Sequence, residues 1–243
     1  MRKHNLKLSI LIPVRNEGVN LRMMLKILKA TIDIPHEVLI VYDYENDDSI
    51  PLVKEMQRNY PALRHVHNKL GRGVANAIIS GVQAATGTYV LVLAADDIGP
   101  VIAVDEMLSL MDKGYDLISA TRYAHGGRVF GGYFISRFLS RMANKFFYYI
   151  AGSKFTDSTI GIKMFRRSIF DRIKLESRPV GWVVTFELSI KTQLAGMKIG
   201  EVPIISINRF YGGKSSFKLK WAKEYFRWFL WGLWHLYNSG KRR

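Results

Sequence analysis

Five apolar runs in the first half of the chain end in residues suited to bind a phosphate, a metal ion or a polar ring. The fourth ends in Ala94-Ala95-Asp96-Asp97. Carboxylates beside a diphosphate can hold a divalent cation, which neutralises a leaving nucleoside diphosphate. Adjacent acids after a strand also serve as a plain cap. The third run ends in Asn68-Lys69-Leu70-Gly71-Arg72-Gly73, where glycines let backbone N–H groups approach a diphosphate. That spacing is neither the Walker loop nor the dinucleotide fingerprint, and a structural turn accounts for it equally well. The second ends in Tyr42-Asp43-Tyr44-Glu45-Asn46-Asp47-Asp48. A helix dipole favours Asp47 and Asp48, whereas Asp43 stands at a strand end where ligands bind. The first ends in Pro13-Val14-Arg15-Asn16-Glu17. It reads as a strand ended by Pro13 and a helix capped by Asn16, or as a lip that holds a nucleotide base. After the fifth comes Arg122, whose fork suits phosphate and which also reads as a surface arginine.

The elements that must position these residues follow from the pattern. Strands are expected at Leu8–Pro13, Glu37–Tyr42, Leu63–His67, Tyr89–Ala94 and Leu117–Arg122. Helical spacing covers Val19–Ala30, Ile50–Asn59, Arg72–Ala85 and Val101–Asp112. Alternating short strands and helices predict an α/β fold with a mostly parallel central sheet and helices on both faces. Ligands of such sheets bind beyond the carboxyl ends of the strands. The second half reads as a helix over Tyr133–Ala151, a strand-like stretch over Asp157–Arg166, a helix over Val183–Ala195 and a strand over Lys198–Ile207.

The chain has 243 residues, 48% of them apolar, no cysteine and a formal charge of +16. It is long enough for a sizeable core, and it has no disulfide or cysteine-held metal. The charge calls for an anionic partner. No helix-turn-helix, zinc finger or RNA-binding signature is present, so no nucleic acid is expected. There is no run of about 20 apolar residues and no signal-peptide pattern. Two segments mix aromatic rings with bases, Tyr133 to Arg141 and Lys218 to Trp231. Both suit an amphipathic helix lying on an anionic membrane surface. A core helix with a solvated face is the other reading, and the membrane is favoured for the C-terminal segment because its apolar residues go nearly all round from Phe229 to Trp234. Arg137 and Ser140 are candidates to contact an acceptor phosphate.

Taken together, the order and spacing of these pieces resemble the family 2 glycosyltransferases with the GT-A, Rossmann-like fold. The match is closest to the branch of dolichol-phosphate mannose synthases and other polyprenyl-phosphate glycosyltransferases. In that family the first motif ends in Asn-Glu, like Asn16-Glu17. The second strand ends Asp-Asp-Gly-Ser, where this chain has Tyr42-Asp43-Tyr44-Glu45. The fourth ends Asp-x-Asp, where this chain has Ala94-Ala95-Asp96. Arg122 matches a phosphate-side arginine. Asp157 to Arg166, Gly181-Trp182 with Glu187, Glu201-Val202-Pro203, and Arg209 with Gly213, Ser215 and Phe217 resemble the later motifs. The last of these resembles a closing loop over the diphosphate.

The resemblance implies an inverting transfer of a sugar, mannose or glucose, from a GDP- or UDP-linked nucleoside-diphosphate sugar to a polyprenyl phosphate. It implies Asp96, Arg122 and Arg209 as catalytic groups. The donor set is Pro13, Arg15, Glu17, Asp43, Gly71, Arg72, Asp96, Lys163 and Lys214. Arg137, Ser140, Asp157 and Glu187 fall on the acceptor side. Asp96 and Asp97 are assigned to Mg²⁺ or Mn²⁺, either Asp96 with diphosphate and water or with Asp97 moving in. Should the acceptor be a sugar hydroxyl, Asp157 and Glu187 are the candidate bases. The loss of acids at Tyr42 and Ala94 keeps open a relative that binds donor without turnover; a soluble saccharide acceptor is the other alternative. The expected organisation is a donor-binding part over 1–125, an acceptor-binding part over 126–218, and an interfacial helix with a basic tail over 219–243. The expected place is peripheral, on the cytoplasmic face of a membrane, with room for a transmembrane partner subunit.

Overall fold

The β-branched runs fold as strands because both of their faces are covered. A computed structural model describes residues 7–131, 134–207 and 221–240. The first half contains β1 (Leu8–Val14), α1 (Gly18–Thr31), β2 (His36–Tyr42), α2 (Ser49–Gln57), β3 (Leu63–His67), α3 (Val74–Ala84), β4 (Tyr89–Val92), α4 (Val104–Asp112) and β5 (Leu117–Thr121). The second half adds β6 (Arg128–Phe130), α5 (Phe134–Ala151), β7 (Lys163–Arg166), α6 (Val183–Leu194), β8 (Ile199–Pro203), β9 (Ile205–Ile207) and α7 (Ala222–Gly240). Seven strands form one sheet in the order β3-β2-β1-β4-β7-β5-β8. All neighbours are parallel except β7, which runs antiparallel to both β4 and β5. Side-chain alternation splits the core. Ile10, Ile12, Ile40 and Leu91 pack with α1, α2 and α4 on one face. Leu11, Leu39, Val41 and Val90 pack with α3 and α6 on the other.

Several expectations need correction. Pro13 lies inside β1 and does not end it. It pairs only with Val41 of β2, because the β4 ladder ends at Leu11. A proline without an N–H is tolerated where no partner strand calls for one. The stretch from Lys198 to Ile207 is two strands: β8 in the main sheet, and β9, which pairs with β6 in a separate ribbon. Of Asp157–Arg166, only the last four residues are strand.

A third layer of helix covers α6. Nine residues of α6, from Val183 to Thr192, are buried, which explains its weak amphipathic pattern: it has the sheet on one side and α5 and α7 on the other. Phe147 of α5 meets Phe186 of α6 edge to face at 5.0 Å and Phe229 of α7 at 5.4 Å. A Cβ at Gly232 would come within 2.8 Å of Ile190 and Phe147, so glycine lets α7 approach. The apolar ring around α7 is therefore divided. Trp228 and Leu236 are buried in this layer, and Phe226, Leu230, Trp234 and Tyr237 remain outside.

At the amino ends of the strands, opposite the expected ligand side, Glu37 is buried beneath four donors. It accepts from Ser9 Oγ at 2.7 Å, Thr86 N at 2.6 Å, Thr86 Oγ1 at 2.8 Å and Arg64 at 2.5 Å. Burial pushes its acid up, but these bonds together hold it below its ordinary value of 4.5. Its contribution is thus complete above that value and is lost as pH falls through the lower folded one. Glu37→Gln should cost about 1–3 kcal/mol at pH 7, since an amide nitrogen would face donors. Urea titrations should show the gap to wild type closing in acid, and a gap independent of pH would contradict this account.

Candidate active site

The carboxyl ends of β1, β2 and β3 are held together by acids that bind the backbone of neighbouring loops. Asp47 is buried and accepts from Asn16 N at 3.1 Å and Ser49 N at 2.9 Å. Asp48 accepts from Gly18 N at 3.1 Å, and Ser49 Oγ accepts from Glu17 N at 3.1 Å. The open N–H groups at the start of α1 are thus met from the β2 loop, not by Asn16. Asn16 instead adopts a left-handed backbone, φ 55°. Its Oδ1 accepts from the Tyr44 hydroxyl and from Asp48 N at 3.4 Å. Arg15 is exposed, and Glu17 accepts from Asn20 Nδ2 at 2.9 Å.

Asp43 performs the same task for the glycine loop. One oxygen accepts from Asn68 Nδ2 at 2.7 Å and the other from Gly73 N at 3.0 Å. Asn68 also donates to the Gly71 carbonyl at 2.7 Å and accepts from Leu70 N at 3.0 Å. Gly71 and Gly73 have φ of 97° and 121°, and a Cβ at Gly73 would collide with the Pro179 carbonyl. These glycines are required by geometry. Tyr42, at the position of a family acid, is buried and stacks on His67 at 4.9 Å.

Beyond β4, the two acids have different surroundings. Asp97 turns inward and accepts from Ser206 Oγ at 2.5 Å and Ile207 N at 2.9 Å. Burial pushes its acid up. Its assignment to a metal is therefore corrected: both oxygens are spent on anchoring β9. Asp96 is half-buried at the strand end. Among the described residues no three His, Asp or Glu side chains gather to hold an ion. The donor set fits Mg²⁺ or Mn²⁺ only in the form where a single carboxylate, Asp96, shares the ion with diphosphate and water, an arrangement Mg²⁺ readily adopts.

Beyond β5, Arg122 donates Nε and Nη2 to the two oxygens of Asp157 at 2.7 and 3.0 Å. Asp157 is completely buried and Arg122 is one-fifth exposed, 20%. Desolvation pulls the Arg122 guanidinium down, but Asp157 overcomes it, leaving the group more basic than usual. Among the described residues Asp157 takes two of the guanidinium's about five N–H donors. The Asp157 loop is in turn held by Glu201, which accepts from Thr156 N at 2.9 Å, Thr156 Oγ1 at 2.8 Å and Asp157 N at 3.1 Å. Burial pushes the Glu201 acid up. The sequence shows Glu201 only as part of a motif; its clamp role depends on donors from 45 residues away.

Three further expectations are overturned by burial. Asp157 is closed off beneath Arg122 and cannot act on an acceptor. Glu187 is fully buried in α6, where it accepts from Glu176 N at 2.6 Å, Ser177 N at 2.8 Å and Lys191 at 2.7 Å. Lys163 is fully buried in β7 and donates to Ser119 Oγ at 2.8 Å, so it does not reach a donor. Of the residues expected to meet an acceptor, Ser140 Oγ accepts from the Tyr123 hydroxyl at 3.0 Å and Arg137 donates to the Val129 carbonyl at 3.3 Å. The first bond fastens α5 to the loop that follows Arg122, and the second fastens it to β6. Arg209 and Lys214 lie outside the described residues, as does Tyr133.

Comparison with known proteins agrees with this architecture. A family model, glycosyl transferase family 2, matches residues 9–174. The chain is 27% identical over 229 residues to a dolichol-phosphate mannosyltransferase of Pyrococcus furiosus, an alignment covering 91% of this chain. It spans 62% of the length of that relative. Crystal structures of glucosyl-3-phosphoglycerate synthase from Mycobacterium tuberculosis share the fold. The complex with Mn²⁺, UDP and phosphoglyceric acid superposes with a TM-score of 0.67 at 16% identity, covering 96% of this chain and 79% of that one. The complex with Mg²⁺ and UDP gives 0.66 at 16% identity, covering 97% and 81%.

Burial pulls Lys163 down to about 7. The unfolded side chain titrates at its ordinary 10.5, so between these values the unfolded chain binds more protons. Stability therefore rises with pH across that window and is lowest below it. Lys163→Met should be more stable than wild type at pH 6.5, with the advantage shrinking as pH rises toward 9.5. Urea titrations across this range would show it, and parallel pH profiles would mean that Lys163 stays charged in the fold.

Proposed function

The chain belongs to glycosyl transferase family 2, and from that premise we propose that it transfers mannose or glucose from a GDP- or UDP-linked donor to a polyprenyl phosphate at a membrane surface. The observation that carries this reading is the outer face of α5. Phe134, Phe138, Met142 and Phe146 recur every fourth residue and are about half exposed or more, 72%, 54%, 47% and 49%. The Tyr123–Ser140 bond joins that same helix to the residue after Arg122. Phe226, Leu230 and Trp234 of α7 extend the face, because Phe229 stacks on Phe146 at 5.8 Å. Exposed Arg141, Lys145, Lys223 and Arg227 lie on the same helices. Rings flanked by bases suit the surface of an anionic bilayer. No helix among the described residues is long and apolar enough to cross one. We place the chain as a peripheral protein on the cytoplasmic face, with room for a transmembrane partner subunit as a further anchor.

The chemistry is one in-line displacement. An acceptor phosphate oxygen forms a bond to the anomeric carbon as the bond to the donor diphosphate breaks, and the electron pair leaves on the diphosphate oxygen. Configuration inverts. A phosphate monoester is largely ionised at neutral pH and needs no general base. That agrees with the burial of Asp157 and Glu187 and favours a phosphate acceptor over a sugar hydroxyl. The glycine loop, through Gly71, is assigned to the diphosphate, and Arg72 to the nucleotide. Arg15, Glu17 and Asp43 are assigned to the rim of the nucleotide site, Asp43 by shaping the loop. Arg122, aimed by Asp157, and Arg209 are assigned to the developing negative charge. Asp96 is assigned to Mg²⁺ or Mn²⁺, which when bound supplies positive charge to the diphosphate. Arg137 and Ser140 are placed nearest the acceptor.

The test is to incubate the protein with Mn²⁺, labelled UDP- and GDP-sugars and a short polyprenyl phosphate, and to count label in the organic phase. One donor should label the lipid, and Asp96→Ala should lower the rate by about a hundredfold or more. Label entering a soluble saccharide and never the lipid would reject the acceptor proposed. In a separate assay, Phe138→Ser combined with Phe226→Ser should weaken binding to anionic vesicles about tenfold, by loss of inserted aromatic area. Unchanged vesicle binding would remove the membrane from the proposal.

A further inference from the structure

Tyr44 occupies a place where the family pattern has glycine, and it spans three strand-end loops. Its backbone follows β2. Its hydroxyl donates to Asn16 Oδ1 in the loop after β1. Its ring lies under the guanidinium of Arg72, 5.8 Å away, in the loop after β3. A glycine could make neither contact. Asn16 is presented to it in a left-handed conformation, which the Asp47 carboxylate stabilises by accepting from the Asn16 N–H. Single-residue strain of this kind persists only where the surroundings over-determine it. The result is a flat, half-buried ring between the loops assigned to the donor nucleotide, fixed by its hydroxyl at one end.

We propose that Tyr44 is the platform on which the donor nucleobase stacks, with the base entering between its ring and the Arg72 guanidinium. This rests on the assignment of the β1, β2 and β3 loops to a nucleoside-diphosphate sugar. The chemistry fits. A planar base sandwiched at ordinary contact on both sides needs about 7 Å between ring and guanidinium. Arg72 is exposed, so it has only to draw back slightly to admit one. Both contacts are of kinds that a base can replace: π-stacking with the phenol and cation–π with the arginine. Asp43, whose oxygens serve Asn68 and Gly73, is occupied with the loop, and Tyr42 is stacked on His67. Tyr44 is thus the half-buried ring of this loop that stands between the neighbouring loops. A ring face holds any base, so the selection between uracil and guanine falls to the edge groups around it.

Calorimetric titration with UDP and GDP in Mn²⁺ tests this with two variants. Tyr44→Leu removes the π face and should weaken whichever nucleotide wild type binds by about tenfold, or about 1.4 kcal/mol. Tyr44→Trp keeps an aromatic face and should bind within about threefold of wild type. Leucine binding as tightly as tyrosine would overturn the proposal. So would tryptophan binding as weakly as leucine, because the loss would then come from disturbance of the loop. Wild-type protein that binds neither nucleotide would overturn the donor assignment itself, a result distinguishable from either variant outcome.

Discussion

A carboxylate taken out of water must be met by donors, and much of this chain is arranged around that requirement. At one loop after another, a buried or half-buried acid reaches across to the backbone N–H groups of a different segment. Asp47 holds the start of α1, Asp43 holds Gly73, Asp97 holds Ile207, and Glu201 holds Thr156 and Asp157. Hydrogen bonds to ionised groups contribute roughly 1.5–3 kcal/mol each, and several share one acceptor here. Loops that carry substrate-binding groups usually have little packing of their own. In this protein the missing packing is replaced by charge, and the ends of the strands become one bonded rim.

The same constraint limits which acids remain for chemistry. Asp97, Asp157 and Glu187 are spent on structure, and Asp43 is spent on the glycine loop. Asp96 stands half-buried at the end of β4, and the Arg122 guanidinium beyond β5 is held in place by Asp157. Tyr42 and Ala94 remove two acids that the family pattern would place here. A site so poor in bases suits a nucleophile that is already charged. The net charge of +16 is consistent with that reading, because the proposed donor and acceptor both carry anionic phosphate that a basic protein gathers.

How much of this was legible depends on what kind of signal each feature leaves. The strand and helix alternation from Leu8 to Thr121 was plain, because burial on both faces writes itself as continuous apolar runs. The order of the loops that carry Asp43, Gly71, Asp96 and Arg122 was also readable. The fate of each acid was not. Asp96 and Asp97 are identical in sequence, and what separates them is a pair of donors at Ser206 and Ile207, more than a hundred positions away. Lys163 was expected in the donor set, and it lies inside β7 because Ser119 and the Phe155 ring receive it there. Pro13 looked like a strand end, and only the length of its neighbour β4 explains why it is not.

The α5–α7 layer shows the same limit from the apolar side. Aromatic residues all round a helix are compatible with a core or with a membrane, and sequence offers no way to divide them. The division comes from α6, which is buried on every side and therefore requires a cover. Phe147, Trp228 and Leu236 provide it, and Gly232 lets the cover sit close. What is left over is an outer face on each helix, and the two faces adjoin because the inner ones share one partner. This layer is joined to the sheet by Asn144 bonding Thr159 and by Tyr123 bonding Ser140. A displacement of α5 on contact with a surface would therefore act directly on the loops of Arg122 and Asp157. Two hydrogen bonds thus tie the apolar face to the charged rim, and under the proposed function a lipid-borne phosphate would meet the site by the same contact that docks the protein.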